Sequence, residues 1–172
     1  MKVLVWPDPF LSHAVPELSD RALAAITHDP AWLKKLDEMI ALVKQTGAVG
    51  LAANQVGWDQ RVFVMDPGAE AMPWEHLNPR IELHDHGVIA LEGCLSFPDT
   101  TDMLRASEYV QLSSQDRHGV RRTFDLHGLQ ARCAEHETDH LNGRTMLDRM
   151  GQLQRRMFLS RYEKARKKAA RR

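Results

Sequence analysis

The sequence predicts an α+β fold in a single domain that spans residues 1–172. A helical pattern near the N-terminus is followed by short apolar segments of strand character, and helical patterns return near the C-terminus. Helices and strands are thus segregated along the chain, whereas a parallel α/β sheet would need them to alternate. The length suits one domain of ordinary size, and no repeat or linker divides it.

The first clear helix is predicted from Pro30 to Thr46. Asp29 can cap its first turn, proline is favoured at the first helical position, and Gly47 can end the helix. Its apolar stripe has helical spacing and is expected to face the core; it consists of Leu33, Leu36, Ile40 and Val43.

The segment 47–57 is rich in glycine and other small residues. It lies between a helix and a strand, the reverse of the order that phosphate-binding glycine loops need, so it does not predict a nucleotide site. Strands are then expected at 61–65, from Leu77 onward, at 88–91, and in a hairpin of 109–112 and 120–126 with its turn at 116–119.

Two helices are predicted after the strands. The first runs from about Leu129 to Leu141 and is followed by the stop signal Asn142-Gly143. The second starts near Gln152 and extends into a run of basic residues. Residues 150–172 are therefore expected to form a basic C-terminal helix or tail.

Charge and cysteine content limit the classes of function. The formal net charge is zero, which indicates neither DNA nor a membrane as partner, although 11 Lys and Arg oppose only 2 Asp and Glu from Arg144 onward. With no secretory signal and no apolar run of membrane-spanning length, a reducing cytoplasm is the expected location. Two cysteines make no disulfide framework, but a Cys94–Cys133 bridge stays open at this stage. No dimer seam is evident, so we expect a monomer.

The segment HETDH at 136–140 carries the strongest chemical signal. Positions i and i+4 of a helix share one face, so His136 and His140 can hold one metal ion while Glu137 stands beside it as a base. A third ligand must come from elsewhere, and Cys94 is the strongest candidate. Cys133 shares the helix face, but ligands strung along about 10 Å of helix axis converge poorly on a tetrahedral ion.

Three segments together resemble the peptide deformylase family. GLAANQ at 50–55 resembles its GxGLAAxQ motif, EGCLS at 92–96 matches its EGCLS motif, and EHETDHLNG at 135–143 resembles its QHExDHLxG motif. The resemblance covers about residues 3 to 150. It implies antiparallel sheets packed around a central metal-binding helix, together with a C-terminal helix.

The resemblance implies an enzyme that removes the N-formyl group from the starting formylmethionine of new polypeptides. Cys94, His136 and His140 would be the metal ligands, with Fe(II) the expected native ion and Zn, Ni or Co able to replace it. Glu137 would move the protons. The side-chain amide of Gln55 and the backbone N–H of Leu95 would stabilise the oxyanion.

The substrate pocket is expected to involve four further residues. Gly50 would let the substrate backbone approach closely, because it has no Cβ. Val49, Leu129 and Cys133 are candidates for lining the methionine side-chain pocket, and core packing explains these three equally well.

This chain departs from the family pattern in three places. Ala48 stands where the first motif glycine belongs, which is costly if that position needs positive φ. Glu135 replaces the usual glutamine, and we expect it to pair with Arg132. Some members place an arginine or tyrosine shortly after EGCLS to hold the substrate main chain, whereas residues 98–102 here are acidic.

These departures keep alternative functions open. One is a divergent paralogue that acts on another N-acyl or formyl substrate, and another is a non-catalytic protein that binds metal or the ribosome. The basic tail is either a solvated helix end or a contact with the ribosome. Asp139 is interpreted as a partner of a ligand histidine or as a solvent-facing carboxylate.

The remaining histidines are expected at the surface or in turns: residues 13, 28, 76, 84, 86, 118 and 127. His84 and His86 alternate as a strand would and form a weaker candidate for a second metal site.

Overall fold

The computed structural model describes residues 1–66, 68, 72–85 and 87–171. The α-helices in these ranges are α1 Asp20–Ile26, α2 Pro30–Thr46, α3 Gly128–Leu141 and α4 Gln152–Ala169. The strands are β1 Gly50–Ala52, β2 Val62–Met65, β3 Glu75–His84, β4 Val88–Gly93, β5 Thr101–Ala106, β6 Tyr109–Gln115 and β7 Arg121–His127. Short 3-10 helices cover Pro9–Ser12, Ala53–Val56 and Met146–Arg149.

The described strands form two antiparallel sheets. Five strands pair in the order β1-β2-β3-β6-β7, and β4 pairs with β5 in a separate two-stranded sheet. The helix α3 lies against the larger sheet, where the small side chains of Ala131 and Ala134 share a buried cluster with Phe63 and Leu112. The predicted α+β class is therefore confirmed, and the predicted metal helix is the central helix of the fold.

The helix α2 has the predicted bounds. Asp29 accepts a hydrogen bond from the Ala31 N–H at 2.8 Å, and Gly47 ends the helix with a φ of 67°. Its buried face is rotated from the predicted stripe, because the large side chains of Trp32 and Met39 occupy the core. Leu36 and Val43 are buried as predicted, while Leu33 and Ile40 are half-buried at the edge of the same cluster.

The helix α4 is packed onto the domain by an aromatic face. Phe158 and Tyr162 are buried, and both rings meet Phe97 edge-on with centroid distances of 5.3 and 5.2 Å. The Tyr162 hydroxyl donates to the carbonyl oxygen of Trp6 at 2.8 Å. None of the described helices has both the length and the apolar character needed to cross a membrane.

One predicted surface histidine lies in the core. His76 is completely buried between Phe63, at a ring centroid distance of 4.9 Å, and the edge of Phe124 at 5.7 Å. Its Nδ1 forms a hydrogen bond with the Ser114 hydroxyl at 2.9 Å, and burial lowers its pKa to about 3. The expectation of a surface position was wrong for His76, because β3 is a central strand. His86 lies outside the described residues.

Candidate active site

A cavity of about 570 Å³ lies between α3, the segment around β1 and the loop that follows β4. Among the described residues, nine of the ten predicted site residues line it: Val49, Gly50, Gln55, Cys94, Leu95, Leu129, Cys133, His136 and Glu137. The tenth, His140, is buried behind them with 1% of its surface exposed. The fold thus brings residues of the segments 49–55, 94–95 and 129–137 together around this cavity.

Cys94, His136 and His140 offer donor atoms that all lie within 4.8 Å of one another. His140 Nε2 is 3.3 Å from Cys94 Sγ and 3.2 Å from His136 Nε2. The two histidines are one turn apart on α3, and Cys94 directly follows β4. One thiolate and two imidazoles suit zinc and iron alike, so this donor set fits one divalent metal ion. Within the described residues, this is the one group of three or more His, Cys, Asp or Glu side chains whose donor atoms are close enough together to hold a metal ion.

Cys133 is not part of this convergent group. It belongs to α3 and is buried in the core cluster on the side of this helix that meets the larger sheet, and burial raises the pKa of its thiol well above the ordinary range. Both Cys133 and Cys94 are free cysteines, so the disulfide between them does not form. Cys133 also lines the cavity, and its place in a methionine side-chain pocket stays a prediction.

Glu92 orients the first histidine. Its Oε2 lies 3.1 Å from His136 Nδ1, which leaves Nε2 of that ring facing Cys94 and His140. On the other side, Arg149 lies 3.4 Å from Glu92. Burial opposes ionisation, but the hydrogen bond and the charge of His136 outweigh it and lower the pKa of Glu92. Sequence reasoning quoted Glu92 within EGCLS but gave it no role.

Asp139 does not hold a histidine in this structure. It binds Arg149 at 2.7 Å and Arg144 at 3.4 Å. Two roles were predicted for Asp139: a partner of a ligand histidine, or a solvent-facing carboxylate. The structure shows neither, because Asp139 pairs with two arginines. The carboxylate that contacts His136 is Glu92, which lies 44 residues away from it in sequence.

Glu137 is a buried carboxylate next to the convergent group. Only 4% of its surface is exposed, and burial raises its pKa to about 7. Its Oε2 has no hydrogen-bond partner within the described part of the chain. A carboxylate with a raised pKa and a free oxygen can accept and return a proton near neutral pH.

Gln55 fixes the geometry of the cysteine loop. Its Oε1 accepts from the Ala52 N–H at 2.9 Å, while Nε2 donates to Ser96 Oγ at 3.1 Å and to Cys94 Sγ at 3.3 Å. The amide is 2% exposed and is held at both ends. Nε2 of Gln55 therefore donates both to Ser96 and to the cysteine sulfur that belongs to the convergent group.

Gly50 is required by packing inside the protein itself. A Cβ built on Gly50 would lie 2.5 Å from Cys133 Sγ and 2.9 Å from Glu137 Oε1. This is a different reason from the predicted approach of a substrate backbone. Gly47, and not Ala48, has the left-handed φ of 67°, so alanine in place of the motif glycine costs no backbone strain here.

The other departures from the family pattern are also accommodated. Glu135 lies 3.5 Å from Arg149 and accepts from the Ser107 N–H at 3.0 Å, while Arg132 pairs with Glu108 at 3.1 Å. The expected pairing of Glu135 with Arg132 is thus replaced by a different set of contacts. The segment 98–101 lines the cavity without an arginine or tyrosine.

Comparison with known proteins gives a consistent result. The family model described as polypeptide deformylase matches residues 1–156. Peptide deformylase 1 of Corynebacterium glutamicum is 40% identical over 144 residues, which cover 82% of this chain and 85% of that protein. The peptide deformylase of Hahella chejuensis is 31% identical over 172 residues, which cover 99% of this chain and 98% of that protein.

Solved structures agree in fold over nearly the whole chain. The crystal structure of a peptide deformylase from Legionella pneumophila has a TM-score of 0.86 and 29% identity, and the match covers 99% of this chain and 98% of that one. The peptide deformylase from Thermotoga maritima has a TM-score of 0.76 and 34% identity, covering 87% of this chain and 97% of that one. On the family match, the relatives and the shared fold, the chain belongs to the peptide deformylase family.

Proposed function

We propose that this chain is a metal-dependent amide hydrolase that removes the N-formyl group from the N-terminal formylmethionine of newly made polypeptides. Water and the formyl amide would give formate and a free methionine amine. The main support is the convergence of Cys94 Sγ and the ring nitrogens of His136 and His140 within 4.8 Å, beside the buried carboxylate of Glu137. Family membership supports the same reaction.

Cys94, His136 and His140 would hold one divalent metal ion. When bound, the ion supplies Lewis-acid polarisation of the formyl carbonyl and lowers the pKa of water. We expect Fe(II) natively, and Zn, Ni or Co are ions that the same donor set accepts. Glu92 would fix the tautomer of His136, because a carboxylate at Nδ1 leaves Nε2 free as a ligand atom.

Glu137 would handle the protons of the reaction. Its unpartnered Oε2 is available to take a proton from the attacking water and to deliver it to the leaving amine. Burial keeps bulk water away from this carboxylate, so the transferred proton stays in the site.

Gln55 and Leu95 would stabilise the oxyanion that forms on the formyl oxygen when water attacks the formyl carbon. The Nε2 donor of Gln55 lies 3.3 Å from Cys94 Sγ, and Leu95 is the next residue in the chain and lines the same cavity. The N–H that Gln55 directs at Cys94 Sγ would turn to the oxyanion while the other stays on Ser96 Oγ, and one such donor commonly contributes about 3–4 kcal/mol.

The methionine side chain would occupy the part of the cavity near α3. Leu129 is exposed at the rim, Val49 is half-buried, and Cys133 is buried farther in. Gly50 would keep this wall open, since any larger residue would displace Cys133 and Glu137. The acidic and threonine-rich segment 98–101 borders the same space and is expected to influence the preference for downstream peptide residues.

The substrate can be tested with a matched pair of peptides. Formate release from a short formyl-Met peptide should be measured beside acetate release from the acetyl-Met version, with protein purified without oxygen and loaded with Fe(II) or Ni(II). We expect rapid release of formate and little release of acetate. Equal or faster hydrolysis of the acetyl peptide would instead favour the divergent paralogue that acts on another N-acyl group.

We also propose that the basic end of α4 contacts the ribosome. Lys164, Lys167, Lys168 and Arg171 are grouped there, clear of the buried face of the helix. Replacing these four residues by glutamine should weaken salt-sensitive binding to ribosomes while activity on short peptides persists. Unchanged binding would reject the contact.

Truncation after residue 150 is a poor test, since it removes the buried Phe158 and Tyr162. A cytoplasmic, monomeric protein remains our expectation.

A further inference from the structure

A second cavity of about 500 Å³ lies on another face of α3. Thr138 belongs to its wall and is two positions from both His136 and His140, which turns it to the opposite side of the helix. Five arginines share this wall: Arg61, Arg80, Arg105, Arg144 and Arg149. We call this space the arginine cleft. Arg149 also holds Glu92, but none of the residues of the arginine cleft lines the active-site cavity.

Carboxylates neutralise part of the positive charge in the arginine cleft. Glu17 binds Arg80 through two hydrogen bonds of 2.9 and 2.7 Å. Asp139 is shared by Arg149 at 2.7 Å and Arg144 at 3.4 Å. These pairs fix the guanidinium groups in position but leave other positive charges in the wall unmatched.

Two of the arginines lack a carboxylate partner among the described residues. Arg105 is exposed and forms no ion pair there. Arg61 donates only to neutral acceptors, which are the carbonyl oxygens of Val15 and Leu141 and the side chain of Asn142. Arg149 is also 3.5 Å from Glu135 and 3.4 Å from Glu92. The arginines outnumber the acidic residues that line the arginine cleft, which are Glu135 and Asp139.

Three hydrogen-bonding atoms of the wall residues are buried without a partner in the described part of the chain. They are Arg61 Nε, Thr138 Oγ1 and Arg149 Nη2. The side chain of Arg149 is 9% exposed, and Thr138 is 7% exposed. Buried polar atoms are normally paired with protein groups, ordered water or a ligand, so these three are open to a partner from outside the chain. Together with the positive excess they favour a ligand that carries acceptor oxygens.

We infer that the arginine cleft binds a phosphate group, carried either by inorganic phosphate or by a small phosphomonoester. Guanidinium groups bind tetrahedral oxyanions through paired N–H donors, and a threonine hydroxyl adds a further donor. The positive excess disfavours a metal cation, and the volume exceeds that of phosphate alone, which leaves room for an ester group.

Binding of inorganic phosphate and of glycerol 2-phosphate to the full-length, metal-loaded protein tests this inference. Titration calorimetry should be run at constant ionic strength, beside acetate as a planar anion. Arg105→Gln removes an exposed, unpaired charge, and Thr138→Val removes one hydroxyl with little change of shape. Arg122→Gln is the matched control, because Arg122 is an exposed arginine outside the arginine cleft. Arg149 is left unchanged since it also contacts Glu92.

We expect saturable binding of at least one phosphate compound. Arg105→Gln and Thr138→Val should each weaken it, with loss of one charge-assisted hydrogen bond costing about tenfold in Kd, while Arg122→Gln binds like the parent. Stronger binding of one compound identifies the free or the esterified phosphate as the ligand. The inference fails if neither compound binds, if acetate binds as tightly, or if both cleft variants bind like the control.

Discussion

Glu92 connects a buried histidine of the active site with Arg149, the last residue of the 3-10 helix Met146–Arg149. It contacts His136 at 3.1 Å and Arg149 at 3.4 Å, and it is itself 8% exposed. A charged pair of this kind is stable only when both ends remain paired, because an isolated buried charge is costly. The residue therefore orients His136 and is held in turn by Arg149.

We predict that Glu92→Ala lowers metal affinity roughly 10–100-fold, the usual cost of removing the partner of a ligand histidine. Competition with a chelator, followed by metal analysis, measures this effect directly. Glu163→Ala is the matched control, since Glu163 is an exposed carboxylate on α4. Equal metal retention by both variants would show that Glu92 does not support the ligand.

His76 makes stability depend on pH. Its folded pKa of about 3 lies below the ordinary 6.5 because the ring is buried, so the unfolded chain binds the proton first as pH falls. The free energy of unfolding should therefore decrease from pH 6.5 toward pH 3, by up to about 1.4 kcal/mol per pH unit. Above pH 6.5 both states are neutral at His76 and the effect vanishes.

Urea unfolding across this pH range tests the contribution of His76. His76→Gln should flatten the dependence of the unfolding free energy on pH, even though it lowers stability at neutral pH by disturbing the contacts with Phe63 and Phe124. His118→Gln, at an exposed turn position, should keep the parent's slope. Identical slopes in all three proteins would rule out His76 as the source.

Sequence reasoning identified residues whose role is encoded locally and missed those that depend on distant partners. His136, Glu137 and His140 follow from helical spacing, and the structure brings Cys94 to them as expected from the family resemblance. The role of Glu92 required a contact across 44 residues, and the burial of His76 required knowledge that β3 is central. Neither the Glu92–His136 contact nor the central position of β3 can be predicted from the residues adjacent in sequence.

At the scale of elements, the close approach of β1 to α3 shapes the cavity. Gly50 has no room for a side chain, since Cys133 Sγ and Glu137 lie within 3 Å of where its Cβ would be. Both of these α3 residues are buried, and Cys133 also belongs to the core cluster. Any displacement of α3 from β1 would therefore move the carboxylate of Glu137.

Gly50→Ala should destabilise the protein by about 1–3 kcal/mol through overpacking and should also reduce activity. Cys133→Ala removes the closest atom, so the double variant should recover part of the lost stability. Thermal and urea unfolding of the parent, both single variants and the double variant give the coupling. Gly151→Ala is the control, because its Cβ would meet nothing within 4 Å. Additive effects of the two substitutions would contradict the proposed contact.

The elements that sequence predicted well carry their own start and stop signals. The bounds of α2 follow from Asp29, Pro30 and Gly47, and the end of α3 coincides with the predicted Asn142-Gly143 stop. The short helix α1 and the strand β5 were not predicted. The helix has 7 residues, and the strand owes its conformation to pairing with β4 along its whole length. Pairing with β4 therefore decides β5, whereas α1 is short and its local signal is the Ser19 cap, which accepts from the Ala22 N–H at 3.2 Å.

At the scale of the whole molecule, α4 closes the domain over the loop that carries Cys94. Phe158 and Tyr162 pack on Phe97, which lies three residues after Cys94 and lines the active-site cavity. The C-terminal segment was expected to be a basic helix or tail, and the aromatic contacts show that its inner face is also part of the core. The position of the cysteine loop therefore depends on the far end of the chain.

Phe158→Ala should lower the free energy of unfolding by about 3–5 kcal/mol, the usual cost of deleting a buried aromatic ring. Met157→Ala is the matched control, since Met157 precedes it on α4 and is 56% exposed. Urea unfolding distinguishes the two variants. A similar small loss in both would mean that α4 is only loosely attached to the domain.

Formate release by Glu137→Gln tests the central claim, which is that a buried carboxylate moves protons beside a metal held by Cys94, His136 and His140. Parent and variant should be compared on a short formyl-Met peptide after their metal contents have been matched. We predict rapid release by the parent and a loss of about 10²–10⁴-fold in the variant, with Glu163→Gln unaffected. Release by Glu137→Gln at the parent's rate, or no release by the metal-loaded parent, would contradict the account.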